Sequence, residues 1–107
     1  MAGHASASPG MGAVMAVYVD SLRAPYRGMV MCHMLADSTA ELLAMADRIG
    51  VDRKHLQDAG SYREHLDICL TRRAAALEAG ALEVSLSELG RIIRLRRDAA
   101  RGEVSDG

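Results

Sequence analysis

Aromatic residues are almost absent from this sequence, whose 107 residues include three Tyr but no Phe and no Trp. The core must therefore be built from Leu, Val, Ile, Ala and Met, and few rings are left to stack against nucleobases. A dominant charge is also lacking, because 13 basic and 14 acidic residues leave a net charge of −1. Nothing in the composition therefore draws the whole protein toward nucleic acid or a membrane surface.

Cysteine is scarce as well, and long apolar runs are missing. Cys32 and Cys69 stand in separate apolar runs without C-x-x-C spacing, which predicts two reduced, buried thiols in a cytosolic protein. No run approaches the roughly 20 apolar residues of a membrane span, and the N-terminus lacks the charged and apolar regions of a signal peptide. We therefore expect a cytoplasmic protein with no membrane partner, and its oligomeric state stays open.

What the sequence does contain fits one α/β domain, as its length also indicates. Residues 1–14 are rich in Gly, Ala and Ser and predict a disordered leader, so Met15 is a candidate start of the chain. The single domain is predicted over residues 15–101, followed by a frayed tail over residues 102–107. Strands alternate with capped helices, which predicts a short mixed or parallel sheet of about four or five strands flanked by three helices.

Periodicity and turn residues place these elements along the chain. Strands are predicted over residues 16–20, 29–35, 64–70 and 81–84. Residues 22–28 are predicted as a loop, because Pro25 and Gly28 punctuate them. For residues 51–57 two interpretations stay open, a short turn capped by Asp52 or a brief strand.

Capping residues mark the helices more sharply than the strands. Ser38–Glu41 and Ser85–Glu88 are capping boxes, in which a serine and a glutamate satisfy the first free backbone N–H groups of a helix. Gly50 is expected to end the first helix in the left-handed conformation. Thr71 is the expected N-cap of the middle helix, which Gly80 closes.

Imidazole and carboxylate side chains gather where two predicted strands run into helices. His33 lies in the second strand and Asp37 just past its end, while the H-x-D spacing of His65 and Asp67 puts both on one face of the third strand. In open α/β sheets, ligands collect at the carboxyl ends of the strands. We therefore expect these four residues to converge there as the catalytic set.

Three further residues are candidates for ligand binding. Asp20 ends the first strand, although capping the following turn would explain it equally well. Arg72 and Arg73 begin the middle helix, where the helix dipole disfavours cations. Either nearby acids offset these charges, or the helix end binds an anion. We expect at least one of the two side chains to face the side of the sheet that carries His65 and Asp67.

Three interpretations of these residues stay open. The first is a divalent metal site of zinc, manganese or iron, with His33, His65 and Asp67 as ligands. The second is a metal-free acid–base site, in which a His moves protons, an Asp fixes its tautomer and the arginines hold a small anion. The third is a structural network in which the His, Asp and Arg side chains satisfy one another.

The functional prediction is a small-molecule or nucleotide/anion pocket at the carboxyl ends of the strands, with hydrolase-type or acid–base chemistry and no cofactor identified beyond a candidate divalent metal. The alternatives are a non-catalytic structural or interaction domain and a nucleic-acid-associated accessory module. The last of these rests on five Arg along the outer face of the last helix. A neutral net charge and nearby acids argue against it.

Several short sequence motifs also occur in an order that matches a known family. They are A-V-Y-V-D at 16–20, C-H-M-L-A-D at 32–37, E-L at 41–42, I-G-V at 49–51, Arg53, Gln57, H-L-D at 65–67, R-R at 72–73 and G-A at 80–81. Over about residues 15–94 the chain resembles a small bacterial and phage family, the domain of unknown function 4031. The resemblance implies an autonomous α/β domain and no established activity. His55 stands where that family usually has Trp, which argues against a catalytic role for His55.

Overall fold

Strands and helices alternate along residues 16–106, the part of the chain that the computed structural model describes. In chain order the elements are β1 (Val17–Val19), β2 (Ala24–Tyr26), β3 (Met29–Ala36), α1 (Thr39–Ile49), a 3-10 turn (Arg53–His55), β4 (Leu66–Cys69), α2 (Leu70–Glu78), β5 (Leu82–Glu83) and α3 (Leu86–Asp106). A mixed sheet of five strands with three helices confirms the predicted α/β class. The leader and Met15 lie outside the described residues.

The sheet is organised around β3, its longest strand. β1, β2 and β4 all pair with β3 in antiparallel fashion, and β5 pairs with β1 in parallel. Met31 and Met34 each pair with β4 and also with β2 or β1. Because a strand residue has one partner on each edge, β1 and β2 share one edge of β3 and β4 occupies the other.

The short strand β2 corrects the predicted loop at residues 22–28. Ala24, Pro25 and Tyr26 pair with β3 through a two-residue turn, in which Arg27 has φ 50° and Gly28 has φ 80°. Two positive φ values match the twist of a tight hairpin, and glycine accepts such a value without strain. Proline is tolerated because β2 lies at the edge of the sheet.

One face of the sheet carries the hydrophobic core. Val19, Cys32, Met34 and Leu66 are fully buried there, and the buried apolar side chains of α1 and α2 belong to the same cluster. Leu35 points to the opposite face, because successive strand residues alternate, and it is also buried. The third helix reaches this end of β3, where the Arg96 guanidinium donates to the Ala36 carbonyl. We therefore assign the cover over this end of the second face to α3.

The helix caps are confirmed with one exception. Ser38 Oγ accepts from Glu41 N, and Gly50 ends α1 with φ 81°. Ser85 and Glu88 bond reciprocally at the start of α3, and Asp52 caps the 3-10 turn.

The exception is α2, which begins at Leu70 with Cys69 as a cap that makes no side-chain hydrogen bond, and ends at Glu78 with Ala79, rather than the expected Gly80, as its C-cap. The chain passes from β4 into the helix without a linking residue, so Thr71 already lies inside it. At the other end of the chain, α3 continues to Asp106 through the predicted tail. Among the described helices, none combines the length and apolar character needed to cross a bilayer.

Candidate metal centre

Two histidines and an aspartate meet on the second face of the sheet, where β3 pairs with β4. The register places His33 directly opposite Asp67, and cross-strand partners share a face. His65 precedes Asp67 by two residues and therefore joins the same face, as the H-x-D spacing predicts. All three side chains are partly exposed, with 33% of His33, 19% of His65 and 41% of Asp67 open to solvent.

The polar atoms of these three side chains converge on one point. Asp67 Oδ1 lies 3.5 Å from His65 Nε2 and 3.9 Å from His33 Nε2. All three potential ligand atoms lie within 4.8 Å of one another. The two imidazole rings stand edge to face, with centroids 5.3 Å apart and an interplanar angle of 84°. We call His33, His65 and Asp67 the His–Asp cluster.

The second nitrogen of His33 is held by a buried carboxylate. Asp20 follows β1, is fully buried, and its Oδ2 lies 2.6 Å from His33 Nδ1. The other oxygen, Oδ1, accepts from the backbone N–H groups of His33 and Leu22. Because a carboxylate accepts hydrogen bonds, Nδ1 carries a proton in this contact, and in a neutral imidazole Nε2 then presents a lone pair to the cluster.

The other two members of the cluster have partners of their own. His65 Nδ1 lies 2.7 Å from the Arg63 carbonyl oxygen, which can only accept, so Nε2 is again the lone-pair nitrogen. Gln57 Nε2 donates to Asp67 Oδ2 at 2.9 Å, which leaves Oδ1 turned toward the imidazoles. An isolated bridge between Gln57 and His65 fixes both residues beside β4.

Three electron-pair donors thus face one another, and no described donor lies between them. Neutral imidazole nitrogens and a carboxylate oxygen at this spacing repel unless a cation, a proton or a water occupies the space between them. Each ligand atom belongs to a side chain whose other polar atom is bonded to a carboxylate, a carbonyl or an amide. That outer layer of bonds is typical of metal sites, where it orients the ligands and raises their basicity.

Neither cysteine belongs to the cluster. Cys32 faces the core, where burial and then the Asp20 carboxylate raise the pKa of its thiol to about 11. It therefore stays protonated at neutral pH, and a neutral thiol is a poor metal ligand. Cys69 lies on the same face as Asp67, one step further along β4, and is outside the group of ligand atoms.

The structure places Asp37 away from the cluster. Its carboxylate accepts from the backbone N–H of Ala16 and from the Tyr18 hydroxyl, both at 2.9 Å. Burial, followed by this hydrogen bond, raises the pKa of Tyr18. Asp37 therefore fastens β1 to the end of β3, whereas His33 lies further back within the strand.

The two arginines of α2 do not face His65 or Asp67. Arg72 donates to the Ile49 carbonyl at the C-terminus of α1, 3.0 Å away. Arg73 is buried, donates to the Asp20 backbone carbonyl at 3.0 Å and pairs with Glu83 at 2.5 Å. Arg73 is thus joined to His33 only through Asp20, and the helix start is balanced by these partners.

The position of the cluster also differs from a strand-end pocket. Since β3 and β4 are antiparallel, they have no common carboxyl edge, and the cluster lies on the face of the sheet instead. Sequence reasoning assigned no role to Gln57 or to the Arg63 carbonyl. Only the bridge between residue 57 and residue 65 brings these groups to the site, and no sequence pattern encodes that pairing.

The comparisons with known proteins identify the family of this chain but no activity. A family model described as a protein of unknown function (DUF4031) matches residues 17–96. The chain belongs to the DUF4031 family. No curated protein and no solved structure matches it. For this DUF4031 protein, function has to be argued from the His–Asp cluster itself.

Proposed function

We propose that this DUF4031 protein binds one divalent transition-metal ion through His33 Nε2, His65 Nε2 and Asp67. We further propose that the bound ion catalyses the hydrolysis of a small molecule. The observation that carries the proposal is the convergence of three electron-pair donors, each backed by a separate hydrogen bond. Asp20 then acts through His33 as a positioning residue, rather than as a ligand.

Zinc is the best match to these donors. Imidazole nitrogens suit zinc, iron, copper and nickel, whereas magnesium and calcium prefer oxygen donors alone. In a tetrahedral zinc site the ligand atoms lie about 3.3 Å apart, given bonds of about 2.0–2.1 Å. Two separations, 3.5 Å and 3.9 Å, are close to this value and the third lies within 4.8 Å, so the side chains would have to draw together by up to about 1.5 Å around an ion.

Three protein ligands leave a coordination position open, which is the arrangement of catalytic rather than structural zinc. Bound metal lowers the pKa of a water to about 7 and so provides hydroxide at neutral pH. His33, His65 and Asp67 would hold the ion, and the hydroxide that it supplies would add to a substrate carbonyl carbon as the bond to the leaving group breaks and the proton from the water passes to that group. The metal also attracts anionic groups of the substrate.

Two alternative roles for the cluster predict different results. The 2.6 Å contact between Asp20 and His33 equally supports a metal-free proton-transfer site. A purely structural role is supported by the buried Arg73, which donates to the backbone carbonyl of Asp20 and so fixes the residue that holds His33. Both cysteines are free thiols, which supports a cytoplasmic location. This location is compatible with all three roles.

Metal content and thermal stability test the proposal. Purified protein should contain close to one zinc per chain, and a chelator should lower the melting temperature. At a free zinc concentration 100 times Kd, the expected rise in melting temperature is about 10 °C or more. His65→Ala should abolish the rise, whereas the control His55→Ala, in an exposed turn outside the cluster, should keep it. Metal-free protein that does not respond to zinc or chelator would overturn the proposal.

A further inference from the structure

The face that carries the His–Asp cluster continues past it as a row of apolar side chains. Met31 pairs with Ala24 on one side and Cys69 on the other, and Met29 pairs with Tyr26. Strand alternation places Met29 and Met31 on the same face as His33. These five residues, which we call the apolar strip, lead from the cluster to the tip of the β2–β3 hairpin.

The face is closed in one direction and open in the other. Leu35, the next residue of β3 on this face beyond His33, is 1% exposed. In the opposite direction Met31, Ala24 and Cys69 are half-buried, while Met29 is 44% and Tyr26 54% exposed. Along β3, a group bound at the cluster can therefore extend over the strip but not past Leu35.

The strip contains no charged side chain. At its rim the Arg27 guanidinium, which is not part of the strip, lies 5.3 Å from the centre of the Tyr26 ring. Two flexible methionines and an aromatic ring form a surface that adapts to chains of varied shape. Successive side chains on one face lie about 7 Å apart, so the two rows of the strip extend about 14 Å beyond the cluster.

We infer that the substrate carries an aliphatic acyl chain, whose carbonyl would reach the metal while the chain lies along the apolar strip. This inference rests on the proposed metal site and names the class of substrate that the site would take. The exposed apolar surface next to polar ligands supports it, because a chain laid there removes apolar area from water on both partners. A strongly charged group would lose that contact.

Hydroxamates of increasing chain length are suitable probes, because the hydroxamate group binds the metal and the tail samples the strip. The protein is loaded with Co²⁺, whose visible spectrum reports the coordination, and titrated with acetohydroxamate and octanohydroxamate. Full burial of a methylene strengthens binding about fourfold, so half-burial on an open face gives about twofold. Six added methylenes should therefore tighten binding by about 60-fold.

Two neighbouring residues of β3 provide matched variants. Met29→Ser removes a strip residue that is 44% exposed, and Val30→Ser removes a residue of similar exposure, 39%, on the opposite face. We expect Met29→Ser to weaken octanohydroxamate binding about fivefold or more with acetohydroxamate unchanged. Val30→Ser should change neither affinity, and unaltered melting curves would show that both variants are folded.

The outcomes separate this inference from the proposal on which it rests. If the protein binds neither Co²⁺ nor acetohydroxamate, the metal site itself is wrong. If both bind but octanohydroxamate binds no more tightly than acetohydroxamate, the metal site stands and the acyl-chain inference is overturned. Equal losses in the two serine variants would also overturn it, because the chain would then not lie on the strip.

Discussion

At the scale of single residues, the proposed metal site depends most on Asp20, whose side chain never reaches the metal position. It is fully buried and its two oxygens accept three hydrogen bonds, two of them from His33. Its backbone carbonyl is held in turn by Arg73. A buried carboxylate with this many partners has its hydrogen-bonding capacity satisfied, and by accepting from Nδ1 it leaves Nε2 of His33 facing the cluster.

Asp20→Asn should therefore weaken zinc binding by about 10- to 100-fold, the usual effect of losing a hydrogen-bond partner of a metal ligand. Asp37→Asn is the matched control, because Asp37 also accepts two hydrogen bonds but lies outside the cluster. Its zinc affinity should equal that of the wild type. Competition titration against a zinc indicator measures both, and equal affinities in the two variants would contradict the positioning role of Asp20.

The two thiols should differ in reactivity, although both are free. The raised pKa of Cys32, about 11, results mainly from burial, and the thiolate is the reactive form. At pH 8 a thiol reagent should modify Cys69 in the folded protein and Cys32 only after unfolding. Cys69→Ser should then leave the native protein unlabelled; rapid labelling of that variant would show that Cys32 is accessible.

The raised pKa of Cys32 also predicts how the stability of the fold depends on pH. Cys32 and Tyr18 both have a higher pKa in the folded state than the ordinary pKa of their side chains. Their neutral forms therefore stabilise the fold fully below about pH 9, and this contribution is lost as the pH rises toward 11. Urea unfolding at pH 8 and at pH 11 should give a lower unfolding free energy at the higher pH. Equal values would contradict the burial of these groups.

At the scale of the elements, the helix caps were the most predictable feature. The serines and glutamates of the two capping boxes, and Gly50 at the end of α1, act through atoms within four residues of one another, so the sequence alone specifies them. The predictions for β2 and for the start of α2 were wrong because both depend on partners distant in the sequence. β2 forms only because the Arg27–Gly28 turn folds it against β3.

The C-terminus of α1 offers a test of coupling between elements. Gly50 and Gly60 have nearly equal φ values of 81° and 79°, but only at Gly50 would a Cβ meet a neighbour, Arg72 Nη1 at 3.2 Å. Alanine at Gly60 should cost about 1–2 kcal/mol for the left-handed backbone. At Gly50 it should cost about 0.5–1 kcal/mol more, because Arg72 is displaced from the last carbonyls of the helix.

Arg72→Ala provides the control for this difference. In that background the two glycine substitutions should cost the same, since the hydrogen bond from Arg72 to Ile49 is already gone. Chemical denaturation of the five variants and the wild type measures the coupling. If the difference between the two glycine positions persists without Arg72, the guanidinium does not cap α1.

At the scale of the whole molecule, the fold class was predictable and the site only in part. Three residues of the expected set, His33, His65 and Asp67, meet because β4 pairs with β3 in a register that places Asp67 opposite His33. A shift of one residue would send His65 and Asp67 to the core face. The H-x-D spacing predicted a shared face but could not specify that register, nor the bridge that brings Gln57.

Asp37, Arg72 and Arg73 are candidate residues that the fold keeps away from the His–Asp cluster. Their sequence positions suggested a common site because parallel strands gather their carboxyl ends at one edge. In the antiparallel pairing found here, the ends of β3 and β4 point in opposite directions. Arg72 and Arg73 instead donate to the backbone carbonyls of Ile49 and Asp20, and Arg73 also pairs with the Glu83 carboxylate; all three partners lie outside α2. Local sequence patterns do not predict such tertiary partners.

The X-ray absorption spectrum of the zinc-loaded protein is the most direct test of the metal site, because it identifies the atoms around the metal. The three proposed ligands predict nitrogen and oxygen neighbours at about 2.0–2.1 Å, with the outer-shell signal of two imidazole rings. In His65→Ala that signal should fall to one ring, and in His55→Ala it should remain at two. A sulfur neighbour at about 2.3 Å, or a two-imidazole signal that survives the loss of His65, would contradict the proposed site.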